Sequence, residues 1–281
     1  LKTVPVYKGK GFFKRNAAFF TDSLNFTMRN LQEVGDFYYS NMMMRKYYIT
    51  SNPEAINHVL VANNKNYIKS PAYQQLKLII GNGLITSEGD FWRKQRRLVQ
   101  PAFYKTQLEA LYLEMQSVTE QFCRALSKKV NTNNSLDISE EMCKITSDIV
   151  LKTLFTNDND SDQKLMYDSL GSAQEFVVYC MQNPHLKPFT FINGKRKAFF
   201  KNKAVFDNKI NEMIEERRKN KSDAPDLLNM LMGVQDADTG EVMNNQQLRD
   251  EIMTMYAAGH DTSANALGWT LYLLVQNPEA V

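Results

Sequence analysis

Residues 244–276 read NNQQLRDEIMTMYAAGHDTSANALGWTLYLLVQ. The run predicts one helix of about 32 residues, roughly 48 Å long at 1.5 Å per residue, enough to cross a whole domain. Asn244 suits the N-cap, and Gln247 sits where a side chain reaches back to the cap. Asn277-Pro278 ends the helix, because the residue before proline avoids the α region.

The middle of this helix is unusual. Gly259 and Gly268 each cost about 1 kcal/mol relative to alanine in a helix interior. Ala258, Thr262 and Ala266 are spaced i, i+4, i+8 and share a face, with Gly259 beside them. That face is a shallow trough with almost no side chains. Thr262 can bond the carbonyl four residues back, and Asp261 adds a carboxylate next to it. Two readings follow: close packing of another helix, or a flat ligand lying on the backbone with an acid–alcohol pair relaying protons to it.

Ala258-Gly259-His260-Asp261-Thr262 resembles the (Ala/Gly)-Gly-x-(Asp/Glu)-Thr motif of the cytochrome P450 family of haem-thiolate monooxygenases. In that family the motif lies on the long central helix over the distal face of haem. A second stretch is similar to the family too. In Asp90-Phe91-Trp92-Arg93-Lys94-Gln95-Arg96-Arg97, Trp92 and Arg96 are one helical turn apart and both donate hydrogen bonds. They suit a carboxylate, which arginine engages bidentately. Alone, the pair also reads as a cation–π contact on a basic surface helix. Trp-x-x-x-Arg, followed by Gln100-Pro101-Ala102-Phe103, resembles the family's haem-propionate motif, in the family's order along the chain.

The rest of the chain is compatible. Its 281 residues suffice for one large domain, and 43% hydrophobic with 23% charged residues is ordinary for a globular protein. A net charge of +3 gives no argument for nucleic acid. Cys123, Cys143 and Cys180 form no disulfide framework or zinc spacing, which fits a reducing, cytoplasmic setting. Neither a signal peptide nor a membrane anchor is evident in the first 20 residues, and His260 and Asp261 interrupt the later apolar run.

The pattern predicts a helix over 18–34, strands over 37–40 and 46–50, and a helix over 53–63 capped by Asn52. A further strand is predicted over 67–70, a helix over 72–80 and a turn at Gly81-Asn82-Gly83. Helices follow over 88–101, 105–129, 139–156, 163–181, 194–220 and 225–233. Loops join them at Asp158 to Asp162, at Gln182 to Asn193 and at Asp236 to Gly240. The last has acids but not EF-hand spacing. The expected class is mainly α, a P450-like helical fold with a small N-terminal sheet. It forms one incomplete domain, sheet-containing over 1–70 and helical over 71–281, truncated after the central helix.

Other features weigh less. His260-Asp261 cannot cage a metal alone, since adjacent helical residues point about 100° apart, and His58 and His185 lie elsewhere. Arg93, Lys94 and Arg97 suit either docking of an acidic electron donor or a solvated face. Tyr73, Leu76, Leu84 and Ala258, with Phe176–Tyr179 and Pro188–Phe191, are consistent with an apolar substrate pocket, although core packing is the default for the aromatics.

The family's proximal ligand, a cysteine in Phe-x-x-Gly-x-x-x-Cys-x-Gly, has no match here, because none of the three cysteines has those glycines. Glu215-Glu216-Arg217-Arg218 fits the family's Glu-x-x-Arg spacing but precedes the central helix and reads as a solvated chance match. The resemblance therefore implies the N-terminal two-thirds of an enzyme. The parent would bind haem b and take electrons from a reductase or ferredoxin. It would insert one atom of O2 into an apolar substrate such as a fatty acid. Trp92 and Arg96 would hold a propionate, Ala258 and Gly259 would leave room at haem, and Thr262 and Asp261 would be catalytic. This chain alone, lacking the cysteine, would be inactive and would expose Leu267, Trp269, Leu271 and Leu274. The competing reading is a non-catalytic helical module that docks through the basic helix 91–97.

Overall fold

The computed structural model describes all residues except 1–3, 8, 10, 43–44, 72, 133–134, 157–159, 183–189, 191, 221, 237 and 281. His185, Pro188, Phe189 and Phe191, and most of the loop at 158–162 with its neighbours, lie outside the described residues or carry no described side chain. The chain divides into two compact units, residues 1–68 and 69–281.

In the first unit, α1 (Phe12–Thr21) and α2 (Ser23–Val34) replace the single helix expected over 18–34. The break is at Asp22, whose carboxylate accepts the Asn25 N–H at 3.2 Å and caps the second helix. β1 (Phe37–Met42) pairs antiparallel with β2 (Arg45–Thr50), Phe37 opposite Thr50. Tyr38 and Ser40 point into this unit and are fully buried. Asn52 caps α3 (Pro53–Asn57), which runs on as a π-helical segment over His58–Ala62. The strand expected over 67–70 does not form. The Lys69 N–H, which a ladder would have used, is donated to the Glu88 carboxylate instead.

The second unit holds α4 (Tyr73–Ile80), α5 (Gly89–Val99), α6 (Lys105–Thr132), α7 (Ile138–Phe155) and α8 (Asp160–Gln182). It continues with α9 (Lys195–Lys219), α10 (Leu227–Gly233) and α11 (Asn245–Gln276). The capping box at Asn244 is formed in both directions, Gln247 N–H to Asn244 and Asn244 N–H to Gln247, each at 2.9 Å. Leu248, Ile252 and Tyr256 of α11 meet Leu151 and Leu154 of α7, Phe206 and Ile210 of α9, and Leu228 of α10 in one buried core. At α7's C-terminus, Thr156 is left-handed at φ 51°, and its hydroxyl donates to Asp226 at 2.9 Å. Asp226 also receives Arg217 at 2.8 Å.

Arg218 is not merely solvated: it donates to Asn245 at 2.8 Å and to the Met243 carbonyl at 3.2 Å. These contacts brace the start of α11. Phe176 stacks on Phe199 at 4.7 Å and Val177 is buried, so this aromatic stretch is α8–α9 packing.

Candidate functional site

Two faces of α11 are built differently. The face toward α7 is packed. Tyr256 is fully buried with its hydroxyl 2.7 Å from Ser147 Oγ, and burial raises its phenol well above the ordinary range. His260 stacks on Tyr256 at 5.7 Å, meets the Tyr167 edge at 5.6 Å and places Nε2 3.2 Å from the Cys143 carbonyl. A Cβ at Gly259 would stand 3.1 Å from Val150 of α7. Gly259 therefore lets α11 pack closely on α7 at this point. A residue adjacent to Ala258 is rotated about 100° away from it.

The other face is bare. Ala258, Thr262 and Ala266 are exposed, and the Thr262 hydroxyl donates to the Ala258 carbonyl at 2.6 Å. About two turns on, Thr270 does the same to Ala266 at 2.7 Å. Asp261 does not join Thr262. Its carboxylate accepts from Gln174 of α8 at 2.7 Å, and His260 Nδ1 lies 2.9 Å away, at ion-pair distance but off hydrogen-bond alignment. The His260 ring beside it holds the Asp261 carboxyl below its ordinary value, against a smaller opposing effect of burial. Asp261 lines a cleft of about 620 Å³ with Cys143, Tyr167, Asp168, Gln174 and His260. The predicted acid–alcohol pair is thus split between two faces.

On α5, the Arg96 guanidinium lies 5.3 Å from the Trp92 ring, and both border a cleft of about 470 Å³. The neighbouring cations are paired within the chain: Arg93 with Asp90 at 2.7 Å, Lys94 with Glu241, and Arg97 with Asp238 at 2.6 Å and Asp236 at 3.2 Å. Arg96 is exposed and has no carboxylate partner among the described residues. Lys94 and Arg97 hold the turn at 236–241 through these pairs.

Leu76 and Leu84 are half-buried against the main core, and Tyr73 stands 37% exposed with the Lys69 ammonium 5.9 Å from its ring. The arrangement that the sequence reading missed is the meeting of Asp250 and Glu251, both buried on α11, with the turn at 81–84. Its local signal was the consecutive charges Arg249-Asp250-Glu251 just ahead of the mostly apolar stretch 252–258, together with glycines at 81 and 83.

The family profile described as Cytochrome P450 matches residues 12–281. The chain belongs to the cytochrome P450 family. It is 30% identical over 261 residues to Cyclooctatin synthase of Streptomyces melanosporofaciens, covering 90% of this chain and 55% of that protein. Against Protein LUTEIN DEFICIENT 5, chloroplastic, of Arabidopsis thaliana it is 26% identical, covering 99% and 48%. Against Cytokinin hydroxylase of the same plant it is 29% identical, covering 80% and 45%. The chain spans about half the length of these curated relatives.

Membership in the P450 family implies a haem–iron cofactor in the full-length enzyme. The residues present fit that group. The unpaired Arg96 guanidinium beside Trp92 is a donor set for a propionate carboxylate, and the bare Ala258–Thr262–Ala266 strip matches the flat body of the macrocycle. Cys123 is exposed on α6, Cys143 is half-buried on α7 with its thiol raised by burial, and Cys180 is buried on α8. No helix among the described residues is long and apolar enough to cross a membrane.

Proposed function

We propose that these residues form the distal part of one incomplete P450 domain. In this reading the whole enzyme inserts one atom of O2 into an apolar substrate, a fatty acid being our preferred class. Bound haem would supply the iron centre for reductive activation of O2. Electrons come from a reductase or ferredoxin, and the setting is cytoplasmic. Arg96 and Trp92 hold a haem propionate, and Ala258 keeps the distal face open. Tyr73, Leu76 and Leu84 contribute the apolar substrate wall.

The observation that carries the catalytic reading is the Thr262 hydroxyl. It stands on the bare face and already donates its proton to Ala258. Its oxygen is therefore left as an acceptor aimed at whatever lies on that face, suited to hold a donor in place. Asp261 opens onto the cleft at α8 and takes protons from solvent; release from Gln174 lets the side chain pass them toward Thr262. The docking-module alternative loses support, because three of the four cations of the basic helix are engaged inside the chain.

The test is Thr262→Ala in the haem-loaded enzyme carrying this chain. Acid–base groups typically contribute about 10²–10⁴-fold. Electron consumption should continue while product per electron falls and peroxide is released. Unchanged coupling would assign Thr262 to packing alone.

A further inference from the structure

We propose that Asp250 and Glu251 are positioning residues. They lock the 81–84 turn onto α11 and so set Leu84 and the Trp92–Arg96 pair against the Thr262 face. The roles of that face and that pair rest on the reading above.

The contact is made backbone to carboxylate. The Asn82 N–H donates to Asp250 at 2.7 Å, and the Leu84 N–H donates to Glu251 at 3.0 Å. Such an approach needs glycine on either side of Asn82. Gly81 has φ 71°, and a Cβ there would run into the Asp250 carboxylate. At Gly83 a Cβ would meet the Thr254 hydroxyl and stand 2.6 Å from the Asp250 carbonyl oxygen.

The α11 side of the lock is itself fixed. Asp250 accepts from Gln246 at 2.8 Å and from Arg249 at 2.9 Å. Arg249, 3% exposed, also reaches the Ile79 carbonyl at 2.8 Å and the Asp207 carboxylate. Glu251 is 1% exposed. A carboxylate so deeply buried is costly and needs a partner, and the Leu84 amide is the one that the structure supplies.

From the turn to Trp92 every step is tied. The Thr86 hydroxyl donates to the Gly81 carbonyl at 2.6 Å, and the Thr86 and Ser87 N–H groups donate to the Gly83 carbonyl at 3.0 and 2.9 Å. The half-buried Lys69 ammonium donates to the Ile85 and Ser87 carbonyls at 2.7 and 2.6 Å. Its backbone N–H goes to the Glu88 side chain, and the Trp92 N–H goes to the Glu88 carbonyl at 3.2 Å. A displacement at Leu84 therefore reaches α5 with little slack to absorb it.

The experiment compares Glu251→Leu, Glu251→Gln and Arg96→Leu with the parent in the haem-loaded enzyme. Leucine fills the site but accepts no hydrogen bond; glutamine keeps a carbonyl acceptor for the Leu84 N–H. The readouts are amide exchange of the 81–92 peptide and haem circular dichroism, neither of which is activity. At pH 8, where Glu251 is ionised, losing a hydrogen bond to a charged group predicts exchange about tenfold faster or more in Glu251→Leu, with an altered haem signal. Glu251→Gln should stay within about threefold of the parent with its haem signal intact.

Parental exchange in Glu251→Leu overturns the lock. Faster exchange with an unaltered haem signal, while Arg96→Leu does alter it, overturns the positioning role and leaves the propionate reading standing. If Arg96→Leu also leaves the haem signal unaltered, the propionate reading fails. The setting of Leu84 is then decided by exchange alone: a difference between the leucine and glutamine variants supports it, and equal rates overturn it.

Discussion

At the scale of single residues, Glu251 carries the sharpest electrostatic consequence. Loss of hydration pushes its carboxyl from 4.5 up to about 7, with the Asp250 charge adding to the rise and the Leu84 N–H opposing it. Between those two values the folded chain holds a proton that the unfolded chain has released. Stability contributed by this group therefore falls as pH rises through the window, by about 3 kcal/mol in total. Glu251→Gln removes the titration. Its stability relative to the parent should rise from pH 5 to pH 8, read as a growing difference in denaturant midpoint. A difference that is constant with pH would contradict this assignment.

Some residues were legible beforehand because their partners are local. Asn244 and Gln247 cap each other across three positions, and Thr262 bonds Ala258 across four. Glu251 finds Leu84 across 167 positions, and Gln174 finds Asp261 across 87. No periodicity in the sequence encodes such distant pairs. The direction of Gly259 was hidden for the same reason: a small residue on a helix is compatible with a ligand or with a neighbouring helix, and only the position of Val150 decides.

At the scale of elements, α11 combines two glycines with opposite surroundings. Gly259 faces Val150 closely, whereas a Cβ at Gly268 would meet nothing within 4 Å. Both substitutions to alanine gain helix propensity, about 0.8–1 kcal/mol. Gly268→Ala should keep most of that gain. Gly259→Ala should lose much of it to the crowded contact, leaving it the less stable of the two by roughly 0.5–1 kcal/mol. Thermal unfolding of the two variants side by side measures the difference, and the reverse order would mean that α7 gives way at Val150.

The helical elements themselves were readable from caps and spacing, to within a few residues at most ends. The failures have physical causes. Asp22 competes for the helix backbone and splits one expected helix into two. The apolar pattern at 67–70 finds no neighbouring strand, and its amide at Lys69 is captured by Glu88. α5 is a third case. Its basic face invited a docking role, yet Arg97 and Lys94 fasten it to the turn before α11, and that turn was legible only as a turn.

At the scale of the whole molecule, we propose α11 as a distal wall and Trp92 with Arg96 on α5 as a propionate clamp, with no thiolate for iron in this chain. The three cysteines lie on α6, α7 and α8. None has the glycine context of the P450 proximal loop. Leu267, Trp269 and Leu271 stand 42%, 64% and 37% exposed on the second half of α11, while Leu274 is half-buried. Apolar surface on that scale favours self-association, so residues 1–281 by themselves are best studied dilute. The decisive measurement is the absorption spectrum of these residues after haem addition, reduction and carbon monoxide binding. Weak binding without a thiolate-type band is expected. A stoichiometric thiolate-type spectrum would contradict it and place one of Cys123, Cys143 or Cys180 on the iron.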